Sequence, residues 1–302
     1  MAEKLSRREA IRQTTLGAGA LALGVPLSCT SPSSTDASTN DMEEQTPKMT
    51  AAYQHSVCKW CYGDIPLEEF CEKIQDLGIK SVEIIGPDEW PIVQKYGLTC
   101  ALGTDSFFSI PRGFNDPATH EEYLTNYIRL IDQAADAGIP NVICFSGNRN
   151  GMDDEVGLEN CAVGLDKIAK HAEKKGVMVV MELLNSKVNH KDYMCDKTPW
   201  GVKLVDKIGS PNFKLLYDIY HMQIMEGDII ATIRDYNEYF GHYHTGGVPG
   251  RNEINATQEL NYPAIMRAIK ETGYDKYVAQ EYIPTWDDQI AALAEGIKIC
   301  TV

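Results

Sequence analysis

From Met49 to the carboxyl terminus, short apolar runs rich in β-branched residues alternate with longer amphipathic stretches, and they do so eight times. The runs fall at 52–57, 80–85, 99–103, 141–146, 177–184, 213–219, 242–245 and 277–282. Each has the length and composition of a buried strand, and the stretches that follow carry apolar residues at helical spacing. Those at 67–77, 121–137 and 158–175 run into Gly78, Gly138 and Gly176. Glycine just past the last turn is where a helix stops, because it enters the left-handed conformation without penalty. Eight βα units in about 250 residues fit a closed (β/α)8 TIM barrel of one domain, whereas a doubly wound sheet would use fewer strands or add a second domain. No glycine-rich loop opens any helix, so no nucleotide-phosphate site is expected.

A core of that size needs apolar side chains, and 43% hydrophobic content supplies them. The net charge is -15. Residues 1–49 hold five Lys/Arg and six Asp/Glu, so 50–302 retains 23 basic against 37 acidic residues, a net -14. An acidic domain repels a phosphate backbone, which excludes nucleic acid as an expected partner.

The first 49 residues follow other rules. Ser6-Arg7-Arg8-Glu9-Ala10-Ile11 precedes a small, apolar run at 16–25, the order of a twin-arginine export signal. That run is shorter than the roughly 20 residues a membrane-spanning helix needs. Leu27-Ser28-Cys29 then offers a lipoprotein-like cleavage point, made irregular by Pro26. Residues 30–49 are mostly Ser, Thr, Asp, Asn and Pro, suited to a flexible tether. The expected organisation is an export signal at 1–29, a tether at 30–49 and the barrel at 50–302. The protein is then periplasmic or held on the cell envelope by a lipid on Cys29.

Eight cysteines follow the tether, scattered through strand-like and helix-like runs, and read as small buried hydrophobes. Cys58-Lys59-Trp60-Cys61 has redox or zinc spacing, but no second CxxC accompanies it.

Barrel enzymes carry their chemistry at the carboxyl ends of the strands. The fifth to eighth predicted strands each end with a metal-ligand residue type inside an apolar run: Glu182 in VVMELLN, Asp218 in LLYDIYHM, His244 in HYHTGG and Glu281 in VAQEYIP. Four neighbouring strands aim these side chains at one point, where three carboxylates repel unless a cation lies between them. Taken singly, Asp218 or His244 reads equally well as a hydrogen-bonded barrel-end group; four together point to a site. Three oxygen ligands and one imidazole suit Mg²⁺, Mn²⁺ or Co²⁺, with Zn²⁺ also admissible, and leave positions for substrate oxygens. Glu83, ending the second strand, is a candidate to bind substrate or to support the ligands, with a barrel-end ion pair as the plain alternative. His55 and Asn185 are weaker candidates. Trp60, Phe107, Tyr220 and Trp286 either wall the substrate or belong to the core.

The run Tyr217-Asp218-Ile219-Tyr220-His221-Met222-Gln223-Ile224-Met225-Glu226-Gly227-Asp228 resembles the signature segment of hydroxypyruvate isomerases, members of the xylose isomerase-like barrel superfamily. The resemblance extends from about residue 51 to the end, through Pro249-Gly250-Arg251, Glu259-Leu260-Asn261-Tyr262 and Glu281-Tyr282. It implies that Glu182 and Glu281 bind the metal and act as the acid–base pair. It also implies that Asp218 is a further ligand and that His221 and Arg251 hold substrate. The strand-seven ligand, usually glutamine in that family and histidine in the similar ketose 3-epimerases, is His244 here.

The expected reaction is proton transfer beside the carbonyl of a small sugar or hydroxy-keto acid through an enediolate, giving an isomerase or a sugar epimerase. Two rivals share the barrel. A metal-dependent abasic-site endonuclease needs extra histidines and a basic face, whereas this chain has seven histidines and is acidic. A non-catalytic, envelope sugar-binding lipoprotein has no need of both Glu182 and Glu281. Such barrels commonly pair, so a homodimer is among the expected assemblies.

Overall fold

The computed structural model describes residues 53–302, so the export signal and tether expected at 1–49 lie outside the described residues. Seven strands form one parallel sheet: β1 (Gln54–Cys58), β2 (Ser81–Glu83), β3 (Asn141–Cys144), β4 (Met178–Glu182), β5 (Phe213–Asp218), β6 (Phe240–Thr245) and β7 (Tyr277–Gln280). Their order is β2-β1-β7-β6-β5-β4-β3, which leaves β2 and β3 at the two ends. The remaining predicted run, the third at 99–103, joins those ends. Thr99 bridges Ser81, and Gly103 bridges Ile85 on one side and Val142 on the other. Gly103 N donates to Asn141 O (2.8 Å) and Ile143 N donates to Gly103 O (3.1 Å). The barrel therefore closes, but through single bridges. A Cβ on Gly103 would lie 2.8 Å from the Trp90 ring, so this close approach requires glycine.

Among the described residues, nine α-helices wrap the sheet: α1 (Leu67–Ile74), α2 (Trp90–Lys95), α3 (His120–Ala137), α4 (Asp154–Lys175), α5 (Thr198–Ile208), α6 (Ile219–Met225), α7 (Ile229–Tyr236), α8 (Tyr262–Glu271) and α9 (Gln289–Cys300). The expected stops hold: Gly138 and Gly176 end α3 and α4 at φ 71° and 70°, and Gly78 does the same after the 3-10 turn that extends α1. Most of the core lies between the sheet and the helices.

The barrel interior divides into two halves. Leu102, Ile143, Val180 and Leu216 fill one with hydrocarbon. The other holds Ser56, Cys58, Glu83, His242 and His244, all fully buried. Because β2 and β6 are not neighbours, the contacts of Glu83 with both histidines cross the interior.

Leu216 is central to the apolar half. Leu216→Ala should cost about 2–5 kcal/mol, as buried leucine truncations do. Urea denaturation followed by circular dichroism measures it; a loss below about 1 kcal/mol would show that the interior cluster collapses freely around the change.

Candidate active site

Glu182, Asp218 and His244 sit at the carboxyl ends of β4, β5 and β6, and Glu281 follows β7 by one residue. Each of the four is at most 5% exposed, and they offer ligand atoms that all lie within 4.8 Å of one another. His244 Nδ1 is 2.7 Å from Glu281 Oε2 and 3.6 Å from Glu182 Oε1. Asp218 also caps α6, where its Oδ1 accepts from His221 N (3.0 Å), so strand end and helix start fix its second oxygen toward the cluster.

Arg251 Nη2 donates to Glu281 Oε2 (2.6 Å) and Asp218 Oδ2 (3.4 Å). Its guanidinium lies between the Trp60 and Tyr220 rings, 5.1 and 5.3 Å from their centroids. Trp60 Nε1 donates to Glu281 Oε1 (2.8 Å). Asn185 N (3.2 Å) and Nδ2 (2.6 Å) both meet His221 Nδ1. The opposite nitrogen of His221, Nε2, is fully buried, has no hydrogen-bond partner among the described residues and lies 3.7 Å from Asp218 Oδ2.

The two glutamates differ electrostatically. Burial opposes the charge on Glu281, but Arg251, His244 and the Trp60 N–H override it and hold its carboxyl well below the ordinary range. Burial, reinforced by Glu281, raises Glu182 instead, against the opposing pull of His244, whose Nδ1 lies 3.6 Å from Oε1. Asp218 is pushed well up by burial, which outweighs Arg251. Burial also works against a charged His244, yet Glu281 raises it well above the usual imidazole value. Burial and Arg251 keep His221 low.

A cavity of about 290 Å³ opens over this cluster, lined on its polar side by Glu182, Glu281, Arg251 and His190. Trp60, Ile84, Ile143, Phe145 and Leu184 form much of its apolar wall. Asp218 and His244 are fully buried behind the two glutamates. Ile84 and Arg251 both carry a left-handed backbone, at φ 57° and 59°, local strain of the kind held in place at functional sites. A larger cavity, about 340 Å³, lies at the amino ends of the strands beside Asn141, Asn212 and Tyr277, far from this chemistry.

Glu83, the candidate either to bind substrate or to support the ligands, is not among the residues that line the cavity. It is fully buried behind His244, which comes between it and Glu281. Burial opposes its charge, but His242 and His244 hold its pKa down at about 2. His55 lies at the amino end of β1, paired with Thr301. Phe107 packs edge-on against Tyr123 and Tyr127, a core position. Cys58 and Cys61 are buried free thiols. His190 was not singled out from the sequence; it sits in the β4–α5 loop, where no periodicity marks it. His242 was equally overlooked, although its spacing two before His244 places both imidazoles on one face of β6.

Fold and site together define a (β/α)8 enzyme with a carboxylate–imidazole centre at its catalytic end. The family described as xylose isomerase-like TIM barrel matches residues 71–300. Hydroxypyruvate isomerase of Escherichia coli K12 is 27% identical, over 70% of this chain and 86% of that protein. The 2-oxo-tetronate isomerase of Pectobacterium atrosepticum is 25% identical, over 74% and 88%. D-psicose 3-epimerase from Clostridium cellulolyticum H10, solved with D-tagatose, superposes with a TM-score of 0.67 at 19% identity, covering 82% of this chain and 100% of that one. The chain belongs to the xylose isomerase-like TIM-barrel family, and it is an enzyme of the isomerase class, as its curated relatives are.

The unequal surroundings of the glutamates give opposite expectations for the chelator-treated protein. Glu182→Gln relieves repulsion and gives up only the 3.6 Å contact with His244, so the melting temperature should rise by about 2–4 °C for each kcal/mol relieved. Glu281→Gln strands Arg251 and should destabilise by about 3–5 kcal/mol. Calorimetry decides; a fall in both variants would mean that the cluster is not under repulsive strain.

Proposed function

We propose that the protein is a divalent-metal-dependent isomerase of the hydroxypyruvate isomerase type, moving a proton beside the carbonyl of a small hydroxy-keto acid or sugar. The observation that supports it most is the division of labour among four converging residues. All four reach one point, but only Glu182 and Glu281 also line the cavity. They stand on the outer strands of the β7-β6-β5-β4 arc and so approach that cavity from opposite sides.

The donor set fits a hard or borderline divalent ion such as Mg²⁺, Mn²⁺ or Co²⁺: three carboxylates and an imidazole, with the Glu182 carboxylate met among the described residues only by His244 at 3.6 Å. When bound, the ion supplies Lewis acidity that offsets negative charge developing on the substrate oxygens. Glu182, Asp218, His244 and Glu281 would hold it. One glutamate then removes the proton and the other returns one. Arg251, which lines the cavity, orients a carboxylate or hydroxyl with its guanidinium over the Trp60 and Tyr220 rings; His221 is fully buried and outside that lining, and its unpartnered Nε2, 3.7 Å from Asp218, would meet only a substrate oxygen brought up to that residue. The apolar wall excludes water from the exchanging proton.

A second reading, a ketose 3-epimerase, draws support from His244, the residue type expected of that group, and from the likeness to the D-psicose enzyme. The two share the first proton transfer and differ in where the proton returns: the neighbouring carbon for an isomerase, the opposite face of the same carbon for an epimerase. The sequence Ser6–Ile11 supports action outside the cytoplasm, which fractionation of an Arg7→Lys, Arg8→Lys variant tests through retention in the cytoplasm.

With Mn²⁺ in D₂O, the protein should incorporate deuterium into hydroxypyruvate or into a ketose from a panel, read by NMR. Glu281→Gln and Glu182→Gln should each lower that exchange by about 10²–10⁴-fold, and a chelator should abolish it. Exchange that survives in both variants rejects the two-glutamate mechanism. Metal-dependent binding without exchange favours the sugar-binding alternative.

A further inference from the structure

Five side chains from three strands meet in the polar half of the barrel, beneath the cavity. Glu83 Oε1 lies 3.0 Å from His244 Nε2 and 3.0 Å from His242 Nε2, and its Oε2 accepts from Ser56 Oγ (3.0 Å). The Cys58 thiol donates weakly to Oε1 (3.7 Å). A carboxylate accepts and does not donate, so both imidazoles must present N–H at Nε2. In His244 the same rule places an N–H at Nδ1 as well, 2.7 Å from Glu281 and 3.6 Å from Glu182; of the two nitrogens, Nδ1 is the one that faces the carboxylate cluster and Nε2 the one committed to Glu83. The imidazole is thus held at one end by a buried carboxylate and offers its other end to the site.

We infer that Glu83 is a positioning residue: through His244 it sets which nitrogen and which ring orientation the metal centre receives, and it never touches substrate. The arrangement matches the way buried carboxylates orient imidazole ligands in metal sites. It also gives the strand-seven position a physical logic. A glutamine there could bind an ion through its amide oxygen with no choice of tautomer to settle. A histidine has two nitrogens, one of which must be committed to a proton acceptor. Glu83, carried across the barrel on β2, is that acceptor, and Ser56 and His242 hold it in place.

The inference rests on the metal-dependent reading, and its test needs no substrate. Mn²⁺ affinity of the full chain, by competition with a chromophoric chelator, should weaken about 10–100-fold in Glu83→Gln. In a His244→Gln background the same change should move the affinity by less than about twofold, because nothing remains for Glu83 to orient. The unmodified chain loaded with Co²⁺ should show an exchangeable, hyperfine-shifted imidazole N–H, slow to exchange because Nε2 is fully buried. That measurement stands even if Glu83→Gln fails to fold.

Absence of the shifted N–H in the unmodified chain overturns the inference, as does equal loss of affinity in both backgrounds, which would make Glu83 a general barrel support. Two ions per chain, the second lost in Cys58→Ser, also overturns it, since Cys58, Glu83 and His244 Nε2 would then be ligands themselves. Failure to bind any divalent ion removes both this inference and the function proposed above. Failure of every substrate in the panel with metal affinity intact removes only the function.

Discussion

Three carboxylates held within 4.8 Å of one another are the constraint around which the catalytic end of this barrel is arranged. Two unit charges at that separation repel by about 3–4 kcal/mol even at an effective dielectric constant of about 20. A fold stable by roughly 5–15 kcal/mol cannot carry three such pairs uncompensated. The neighbours show how the repulsion is met. Arg251 spans Glu281 and Asp218, and His244 sits against Glu281 and Glu182. Glu182 is the member held most loosely, with His244 Nδ1 3.6 Å from its Oε1. Repulsion of this kind is tolerable where a ligand or ion removes it, which is why the cluster reads as a site and not as a structural ion-pair network.

The barrel that holds this cluster is asymmetric inside. One half is filled with hydrocarbon, from Leu102 on the bridging segment to Leu216 on β5, and needs nothing more than packing. The other half buries an acid, two imidazoles, a hydroxyl and a thiol, and is stable because Glu83 receives donors from every side. The His242 Nδ1 atom is the one imidazole nitrogen of that group with no partner among the described residues. The asymmetry continues upward into the cavity. Among its lining residues Ile143 belongs to the apolar cluster and Ile84 and Phe145 pack against it, while Glu281 meets His244 of the polar half.

Much of this was legible in the sequence because it depends on period and position. The alternation of runs gives a closed barrel, and the last residue of a buried strand is the one place where a lone Glu, Asp or His in hydrocarbon must be explained. Glu182, Asp218, His244 and Glu281 satisfy that rule and converge. Glu83 satisfies it too, in the run SVEII, and the rule cannot separate it from the others. What separates it is depth, which depends on the stagger of the strands. Glu83 pairs in register with Cys58, whereas Asp218 pairs with His244 and Glu281 N bonds Thr245 O beyond the end of the β6–β7 ladder. Stagger is a property of the closed sheet and leaves no mark on any single run. The thin strand at 99–103 illustrates the converse: its pattern was clear, but its pairing is reduced to bridges where Gly103 passes under Trp90.

The loop residues belong to a different order of information. Trp60 meets Glu281 across 221 positions of sequence, and His190 reaches the cavity from the connection after β4, which is pinned below by the Asn185 side chain binding the backbone of Val188 and Asn189. Neither follows from local propensity, since each depends on where a loop is fastened and not on what it contains. Loops fastened so firmly are economical for an enzyme whose four-residue centre is set by strands. The rigid ends of the barrel fix the chemistry, and the loops are left to fix what may approach it. In this chain the two meet at Glu281, where the strand supplies the carboxylate while two loop residues, Trp60 and Arg251, decide its orientation and charge.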